Sequence, residues 1–468
     1  MNGRILRLEL RRTVGIGTAV ITIVLMIGLL YFHGPWEQPP TAWTDQWNSL
    51  ASWQRELLTF LWPVALGAGA LQGLRDSRSG MLELLGTTSL PTRRRISPTT
   101  LAIGGWLTVG YLVVLAVGAV QVAGNTSYFP LGWIPVALVG ILALIAAGLL
   151  GMGLGRLAPS RLTPPLVAVA ALIAMVVLAG ISPLAHPDGS MAVALLAPGI
   201  GNLLDPIHDV FTTVAGSVTL GQALWFAGLA VAGFVLLSAN RPLARVAAAI
   251  PVVLGLAAAL LVLPSNLPAA YARDSGASAL VCADGTPTVC VSRAHENRLA
   301  ALVGPARDAL RLLSVLPGAP TSVVEDTRTD QGFARQPLPQ ANEVVLNFDD
   351  EDFHRSQPNL SPDQLRLAVL ASAMTPTCVD ANTDESDETT TARIRAAQAV
   401  AVSSLLGKPT SLPSYQYVQP QINSLQQGAW QTLRGLPADV QRARVTAART
   451  AALTCHGDLL TTLTTGSA

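Results

Sequence analysis

The sequence predicts a polytopic α-helical membrane protein of about seven transmembrane helices, followed by a soluble α+β extracytoplasmic domain. Two observations predict this fold. Before residue 264, apolar runs of about 18 to 23 residues recur, which is the length that crosses a hydrocarbon core of about 30 Å. After residue 264, charged residues, prolines and hydroxyl side chains return, and no run is long enough to span. The chain therefore divides into a membrane domain at 1–264 and a soluble domain at 265–468.

Each transmembrane helix is predicted from one apolar run. The first run is longer than the apolar core of a signal peptide and lacks a small-residue cleavage site, so we expect it to remain as a membrane helix. The seven runs lie near residues 14–32, 57–74, 101–123, 133–154, 166–181, 220–239 and 246–263.

Arginines are distributed unevenly among the connections between these runs. Thirteen of the fourteen arginines before residue 264 lie in the N-terminal tail and in the second, fourth and sixth connections. The alternate connections contain only Arg55. The positive-inside rule assigns the arginine-rich side to the cytoplasm. The N-terminus is then cytoplasmic, and an odd number of spans places residues 265–468 outside.

The connection at 182–219 is half apolar and unusually long. Its apolar stretch begins at Met191, but Pro198 and Gly199 break it too early to span the membrane. Irregular backbone survives at membrane depth only where protein buries it or water reaches it. We therefore expect a re-entrant or interfacial hairpin on the outer face, whose polar residues either cap helices or line an exit gate. These residues are Asn202, Asp205, His208 and Asp209.

The C-terminal domain alternates short β-rich runs with helical stretches. Two of the β-rich runs flank Asp284 and Gly285, a dipeptide typical of a tight hairpin turn. Ser361 followed by Pro362 is typical of a helix start. The predicted strands lie at 278–282, 287–292, 321–325 and 343–348, and the predicted helices at 293–313, 365–374, 392–406 and 438–463.

All four cysteines, Cys282, Cys290, Cys378 and Cys455, lie in the C-terminal domain. An even number confined to an extracytoplasmic domain predicts disulfides, because thiols oxidise in that compartment. Four cysteines allow three pairings, and the hairpin turn favours Cys282 with Cys290, which leaves Cys378 with Cys455. Metal binding is the alternative, but neither a Cys-x-x-Cys pair nor a suitably spaced histidine supports it.

The second connection contains a short apolar patch bracketed by charged residues. Residues 81–85 are apolar except for Glu83, and three arginines follow at 93–95. A patch that is too short to span is typical of an interfacial helix that offers an apolar face to a cytoplasmic partner.

This stretch resembles the loop between the first helix pair in type-2 ABC transporter permeases, the membrane subunits of many bacterial exporters. That loop often reads as a charged pair, Gly-Thr-Leu-Glu-x-Leu-Leu, a turn with proline and then basic residues. Met81 replaces the usual threonine, and the proline comes a few positions late. The arginine-rich tail and six spans with an outer hairpin are similar to the same family over residues 1–240. The matching residues are Gly80, Leu82, Glu83, Leu84, Leu85, Pro91 and Arg93.

The resemblance implies a permease subunit of an ABC exporter in the bacterial cell membrane, surrounded by lipid. In that family the matching stretch is the coupling helix, so Gly80 to Pro91 are the expected ATPase-coupling residues. The implied partners are a cytoplasmic ATPase subunit, which binds ATP and Mg²⁺, and a second permease chain in a homodimer or heterodimer. No cofactor is expected in this chain itself.

The chain contains no motif for ATP hydrolysis. A P-loop requires Gly-x-x-x-x-Gly-Lys followed by Ser or Thr. The only lysine, Lys408, is followed by Pro409 and lies in the C-terminal domain. ATPase activity is therefore expected only in a separate subunit. The chain also lacks the dense basic patch that would indicate nucleic-acid binding.

No catalytic constellation is found in the C-terminal domain. His295 and Glu296 begin like the helix of zinc proteases, but Leu299 stands where the second histidine is required. The pattern favours surface residues of an amphipathic helix. The acidic run at 349–354 is interpreted as a solvated turn rather than a cation site.

A second hypothesis belongs to a different class of protein. In this hypothesis the spans serve only to hold the outer domain, and the protein is a membrane-anchored extracytoplasmic binding or sensor protein without transport activity. The sequence does not indicate a substrate or a ligand for either hypothesis.

Overall fold

The computed structural model describes residues 7, 9–11, 13–32, 46–75, 92–182, 189–199, 210–239, 241–328, 340–348, 360–375, 388–412, 419–454 and 456–466. The chain forms two compact units. The apolar unit comprises Met1–Asn125 and Phe129–Asp274, and the C-terminal unit comprises Thr126–Tyr128 and Ser275–Ala468.

The apolar unit consists mainly of helices. In chain order its elements are α1 (Gly15–Phe32), α2 (Trp47–Glu56), α3 (Leu58–Gly73), α4 (Thr92–Asn125), α5 (Trp133–Leu157), α6 (Thr163–Gly180), α7 (Met191–Ala194), β1 (Thr212–Val214), α8 (Gly216–Ser238), α9 (Pro242–Val246), α10 (Ala249–Val262) and β2 (Tyr271–Arg273).

Helices occupy all seven apolar runs of the sequence. Five are long and apolar enough to cross a membrane: α4, α5, α6, α8 and the continuous stretch of α9 and α10. The helices near residues 15–30 and 58–73 are apolar but shorter than the roughly 20 residues that a span needs. The fold is consistent with a polytopic helical membrane protein, and the number of seven spans remains a prediction.

Helix α2 is a feature that the sequence did not predict. We expected residues 33–56 to be a connection, but Trp47–Glu56 forms a helix that runs into α3. Seven of its ten residues are buried, including Gln54 and Arg55. A polar helix with this burial is stabilised by its packing against α4 and α5.

Small residues bring α3 and α5 into backbone contact. A methyl group added at Gly69 would overlap the carbonyl of Gly148, and one at Gly151 would overlap the carbonyl of Leu66. Small residues are enriched at such interfaces because, within a membrane, helix association depends on close packing. The same principle explains why the interface tolerates no side chain beyond hydrogen at these two positions.

Strands β1 and β2 of the apolar unit form a short antiparallel pair. Thr213 of β1 lies opposite Ala272 of β2. Beyond this pair the Asp274 amide donates to the Phe211 carbonyl at 2.7 Å. The backbone before α8 is therefore fixed to the backbone that follows α10.

The C-terminal unit contains a small sheet and a group of helices. In chain order its elements are β3 (Leu280–Cys282), β4 (Thr288–Ser292), α11 (Glu296–Leu313), β5 (Ser322–Glu325), β6 (Glu343–Leu346), α12 (Pro362–Met374), α13 (Glu388–Leu406), α14 (Gln419–Arg434), α15 (Ala438–Thr454) and α16 (Leu459–Thr465).

The sheet is mixed, with strand order β3-β4-β5-β6. The predicted hairpin is confirmed, since β3 and β4 pair antiparallel. However, β4, β5 and β6 run parallel, and α11 connects β4 to β5. The sequence predicted the strands but not this parallel order. One core, which includes Val323 of β5 and Val400 of α13, joins the sheet to the helices.

Candidate functional site

Most of the residues that the sequence singled out fall outside the described part of the chain. Gly80, Leu82, Glu83, Leu84, Leu85 and Pro91 lie in 76–91, and Asn202, Asp205, His208 and Asp209 lie in 200–209. Cys378 and Cys455 also lie outside the described residues. Their roles therefore stay predictions.

The disulfide between Cys282 and Cys290 is confirmed. The two residues lie directly opposite each other on β3 and β4, and an S–S bond joins them. Gly285 of the predicted turn has φ of 93°, in the left-handed region that glycine enters without steric strain. The bond closes the hairpin that the local sequence predicts.

His295 does not lie on the surface, contrary to our interpretation of the sequence. Its side chain is buried, and its Nδ1 lies 2.6 Å from Oε1 of Glu325. The Ser292 hydroxyl donates to the same carboxylate at 3.0 Å. The interpretation failed because His295 follows β4, and only the parallel pairing of β4 with β5 brings Glu325 beside it.

A buried polar cluster in the apolar unit is the strongest candidate for a functional site. It forms around residues 189–199, which we name the broken segment. As the proline and glycine predict, the helix there is short: α7 has only four residues, and residues 195–199 are irregular. Leu195, Ala197 and Pro198 are nevertheless buried, so their backbone carbonyls need hydrogen-bond donors from the protein.

Side chains of α8 supply donors to three consecutive carbonyls of the broken segment, those of residues 195, 196 and 197. Gln222 Nε2 donates to the carbonyls of Leu195 at 2.9 Å and Ala197 at 3.3 Å. Trp225 Nε1 donates to the carbonyl of Leu196 at 3.1 Å. These bonds replace the amides that a continuing helix would have provided.

Arg55 supplies the donors for the fourth carbonyl. Its Nε and Nη2 both donate to the Pro198 carbonyl, at 3.0 and 2.8 Å. Nη2 also donates to Gln222 Oε1 at 3.0 Å, and Nη1 donates to the Val136 carbonyl at 3.2 Å. Only 1% of Arg55 is exposed, so these neutral oxygens stand in for water around the guanidinium.

The aliphatic part of the Arg55 side chain packs against Gly140, which has no side chain of its own. A methyl group at Gly140 of α5 would lie within 3 Å of Arg55 Cδ and of the Tyr111 hydroxyl oxygen. Gln54, next to Arg55, donates from Nε2 to the Tyr111 carbonyl at 2.7 Å. Helices α2, α4, α5 and α8 thus contribute to one polar cluster.

Several polar atoms around this cluster lack partners. The Tyr111 hydroxyl, Gln54 Oε1 and Glu56 Oε2 are buried and make no hydrogen bond to another described protein atom. A buried polar group without a partner destabilises a fold by about 1–3 kcal/mol.

No protein-family model, no curated protein and no solved structure matches this chain.

Sequence analysis did not select Arg55 as a site residue, although it left a signal. Arg55 is the exception to the arginine asymmetry, and it stands two residues before an apolar run. An ionisable residue at membrane depth is by default a candidate for function. Among the described residues, no group of three or more histidine, cysteine or acidic side chains is placed to hold a metal.

Proposed function

We propose that this chain is the membrane-spanning permease subunit of an ABC transporter, which couples ATP hydrolysis by a separate ATPase subunit to export of a substrate. The observation that carries the proposal is the broken segment between the fifth and sixth apolar helices, held by Arg55, Gln222 and Trp225. A hairpin at this position is part of the plan of the family that the sequence resembles. A chain that only anchored an outer domain would not need a buried polar break in its helix bundle.

Contacts made by the N-terminal segment support a coupling role for residues 80–91. Arg75 Nη1 lies 3.5 Å from Glu9 Oε2, and Trp106 Nε1 donates to the Leu10 carbonyl at 3.0 Å. The Val14 amide donates to Gln72 Oε1 at 3.1 Å. The backbone that leads into residues 76–91 is thereby attached to the N-terminal segment, so a force on residues 80–91 would reach α1 and α4.

The proposed orientation places the N-terminus and residues 76–91 in the cytoplasm and the C-terminal unit outside. The arginine asymmetry supports it, and so does the disulfide between Cys282 and Cys290, because disulfides persist in oxidising compartments. In this orientation the broken segment lies towards the outer face. Two permease chains, identical or different, would work with a pair of ATPase subunits.

Co-purification of an ATPase tests the proposal. The double variant Leu84→Asp/Leu85→Asp would bury unpaired charge where the coupling stretch docks, at a cost of several kcal/mol. We expect it to reach the membrane at normal levels and to lose a co-purifying nucleotide-binding subunit that the wild type retains in mild detergent.

The matched control is Leu162→Asp/Leu243→Asp, which changes two exposed leucines on other arginine-rich connections. This control should keep the ATPase subunit. If the wild type recovers no nucleotide-binding subunit, or if the Leu84/Leu85 variant keeps it, the permease function is wrong and an anchored binding or sensor protein is favoured.

A further inference from the structure

The proposed coupling through residues 80–91 does not explain why Arg55 is buried against the broken segment. We propose that the contact of Arg55 and Gln222 with the broken segment, which we name the latch, opens and closes as the permease changes conformation. This proposal rests on the permease function. It makes Arg55 a positioning residue: Arg55 acts through the backbone of residues 195–199 and is not required to touch the substrate.

The latch holds one segment to two different helices. Pro198 is held by Arg55 of α2, whereas Leu195 and Ala197 are held by Gln222 of α8. Arg55 and Gln222 are themselves hydrogen-bonded at 3.0 Å. A relative displacement of α2 and α8 must therefore break at least one set of these bonds.

The flanks of the broken segment are fixed, so a displacement can be local. On one side the Ser190 amide donates to the Ile181 carbonyl at 3.0 Å, directly after α6. On the other side β1 is paired with β2 along its whole length. Residues 191–199 are proposed to move while α6 and α8 keep their own packing.

The charge distribution makes the closed latch reversible. The Arg55 guanidinium donates only to neutral oxygens, from two backbone carbonyls and one amide side chain. An ion pair would bind the guanidinium more strongly than these dipoles do. The adjacent carboxylate, Glu56, makes no hydrogen bond to it, because neighbouring residues on a helix point in different directions.

The unpartnered polar atoms favour opening. Tyr111 and Gln54 are fully buried, and neither the Tyr111 hydroxyl nor Gln54 Oε1 has a hydrogen-bond partner while the latch is closed. Withdrawal of the broken segment would admit water or a polar substrate group to these atoms. In the proposed cycle, the closed state is held by the hydrogen bonds of Arg55 and Gln222, and the open state exposes the polar surface beneath the broken segment.

Cysteine accessibility in the purified full chain tests the latch. Ala197→Cys places a thiol in the broken segment, where the wild-type side chain is 9% exposed. The protein is reconstituted in lipid nanodiscs, so that a membrane-impermeant maleimide reaches both faces. Labelling of the chain without the added cysteine is subtracted.

In the Ala197→Cys background, Arg55→Met should raise the labelling rate tenfold or more, since it removes both donors to the Pro198 carbonyl. Arg55→Lys should give an intermediate rate, because an ammonium keeps the charge but cannot reproduce the forked contact. The control is Thr100→Val, which removes a buried hydroxyl of α4 that donates its hydrogen bond to the Ser97 carbonyl of the same helix. It should leave the rate unchanged.

An unchanged rate in Arg55→Met overturns the latch, whether or not an ATPase subunit is recovered. If Arg55→Met does not accumulate in membranes, Gln222→Leu provides the second variant. It should raise labelling threefold or more, and no rise overturns the proposal.

A purely structural role for Arg55 predicts labelling that is independent of the ATPase cycle. With the ATPase subunit bound, ATP and vanadate should change the labelling of the wild-type latch and leave that of Arg55→Met unaffected. Wild-type labelling that does not respond overturns the latch but leaves the permease function standing. Conversely, failure to recover any ATPase overturns the permease function, while the effect of Arg55→Met on labelling can still be measured.

Discussion

Among the described residues, each of the two units buries one arginine almost completely, Arg55 in the apolar unit and Arg449 in the C-terminal unit. Arg449 of α15 is 5% exposed and donates to the carbonyls of Gly318 at 2.8 Å, Ala341 at 2.7 Å and Ala373 at 3.1 Å. These carbonyls belong to three stretches of the C-terminal unit that are distant in sequence. Burial lowers the pKa of the Arg449 guanidinium.

Arg55 bonds to backbone carbonyls in the same way, but in different surroundings. Two of its four hydrogen bonds go to the single carbonyl of Pro198, and the others go to the Val136 carbonyl and to Gln222 Oε1. Among the described residues, every buried side-chain oxygen without a hydrogen-bond partner lies in the apolar unit, and Gln54 and Tyr111 carry two of them. Both guanidinium groups therefore join three other stretches of chain, but only Arg55 binds a buried segment of irregular backbone inside a helix bundle. Under the latch proposal, the same kind of hydrogen bond serves as a reversible contact in the apolar unit and as a permanent support in the C-terminal unit.

Replacement of Arg449 should have the largest effect. Arg449→Met leaves three buried carbonyls without donors, so we expect a loss of about 3 kcal/mol or more in the stability of the C-terminal unit. Amide hydrogen exchange of α12, which contains Ala373, should then accelerate about 100-fold or more in the purified full chain.

Two variants decide whether the contrast between the arginines is right. Arg442→Met removes an exposed arginine from the same helix and should leave exchange in α12 unchanged. Arg55→Met should lower the thermal stability of the full chain less than Arg449→Met does. Equal losses would mean that Arg55 is a permanent support, like Arg449.

Close helix packing in the apolar unit should give the next largest effect. Gly151→Ala places a methyl group against the Leu66 carbonyl and should destabilise the helix bundle by about 1–3 kcal/mol. Gly105→Ala, also within a helix, meets no atom within 4 Å and should be neutral or slightly stabilising. Thermal unfolding in one detergent compares the two proteins, and similar midpoints would show that α3 and α5 can separate without loss.

The smallest effect is expected at the helix cap of α16, in the C-terminal unit. Asp458 accepts hydrogen bonds from the amides of Leu460 at 2.9 Å and Thr461 at 3.3 Å, and it pairs with Arg393. Burial alone would raise the pKa of the Asp458 carboxyl, but hydrogen bonds from Arg393 and Thr461 outweigh it, so that the pKa lies below its usual value.

A lowered pKa means that the folded state binds this proton less readily than the unfolded chain. The stabilisation by Asp458 is therefore complete above the pKa of an unfolded aspartate, about 3.9, and is lost as the pH falls through the folded pKa. Asp458→Ala should cost about 1 kcal/mol at pH 7, measured by hydrogen exchange of α16, and less at pH 3. Asp439→Ala, at the start of α15, is the control. A loss that persists at pH 3 would contradict an ionic cap.

Local patterns let the sequence alone determine a large part of this protein. Apolar runs predicted the positions of the helices of the apolar unit, because a span is a continuous stretch of chain. The Asp284–Gly285 turn predicted the hairpin and, through it, the disulfide between Cys282 and Cys290. Pro198 and Gly199 predicted the break between the fifth and sixth apolar helices, since both residues interrupt a helix within a few positions.

Only the tertiary structure determined which distant residues these elements contact. Arg55 reaches Pro198 across 143 residues and Gln222 across 167, and Arg449 reaches Gly318 across 131. The burial of His295 beside Glu325 likewise follows from the parallel pairing of β4 and β5. The hydropathy of a single residue cannot distinguish a loop arginine from a buried one, because the acceptors that make burial possible come from distant parts of the chain.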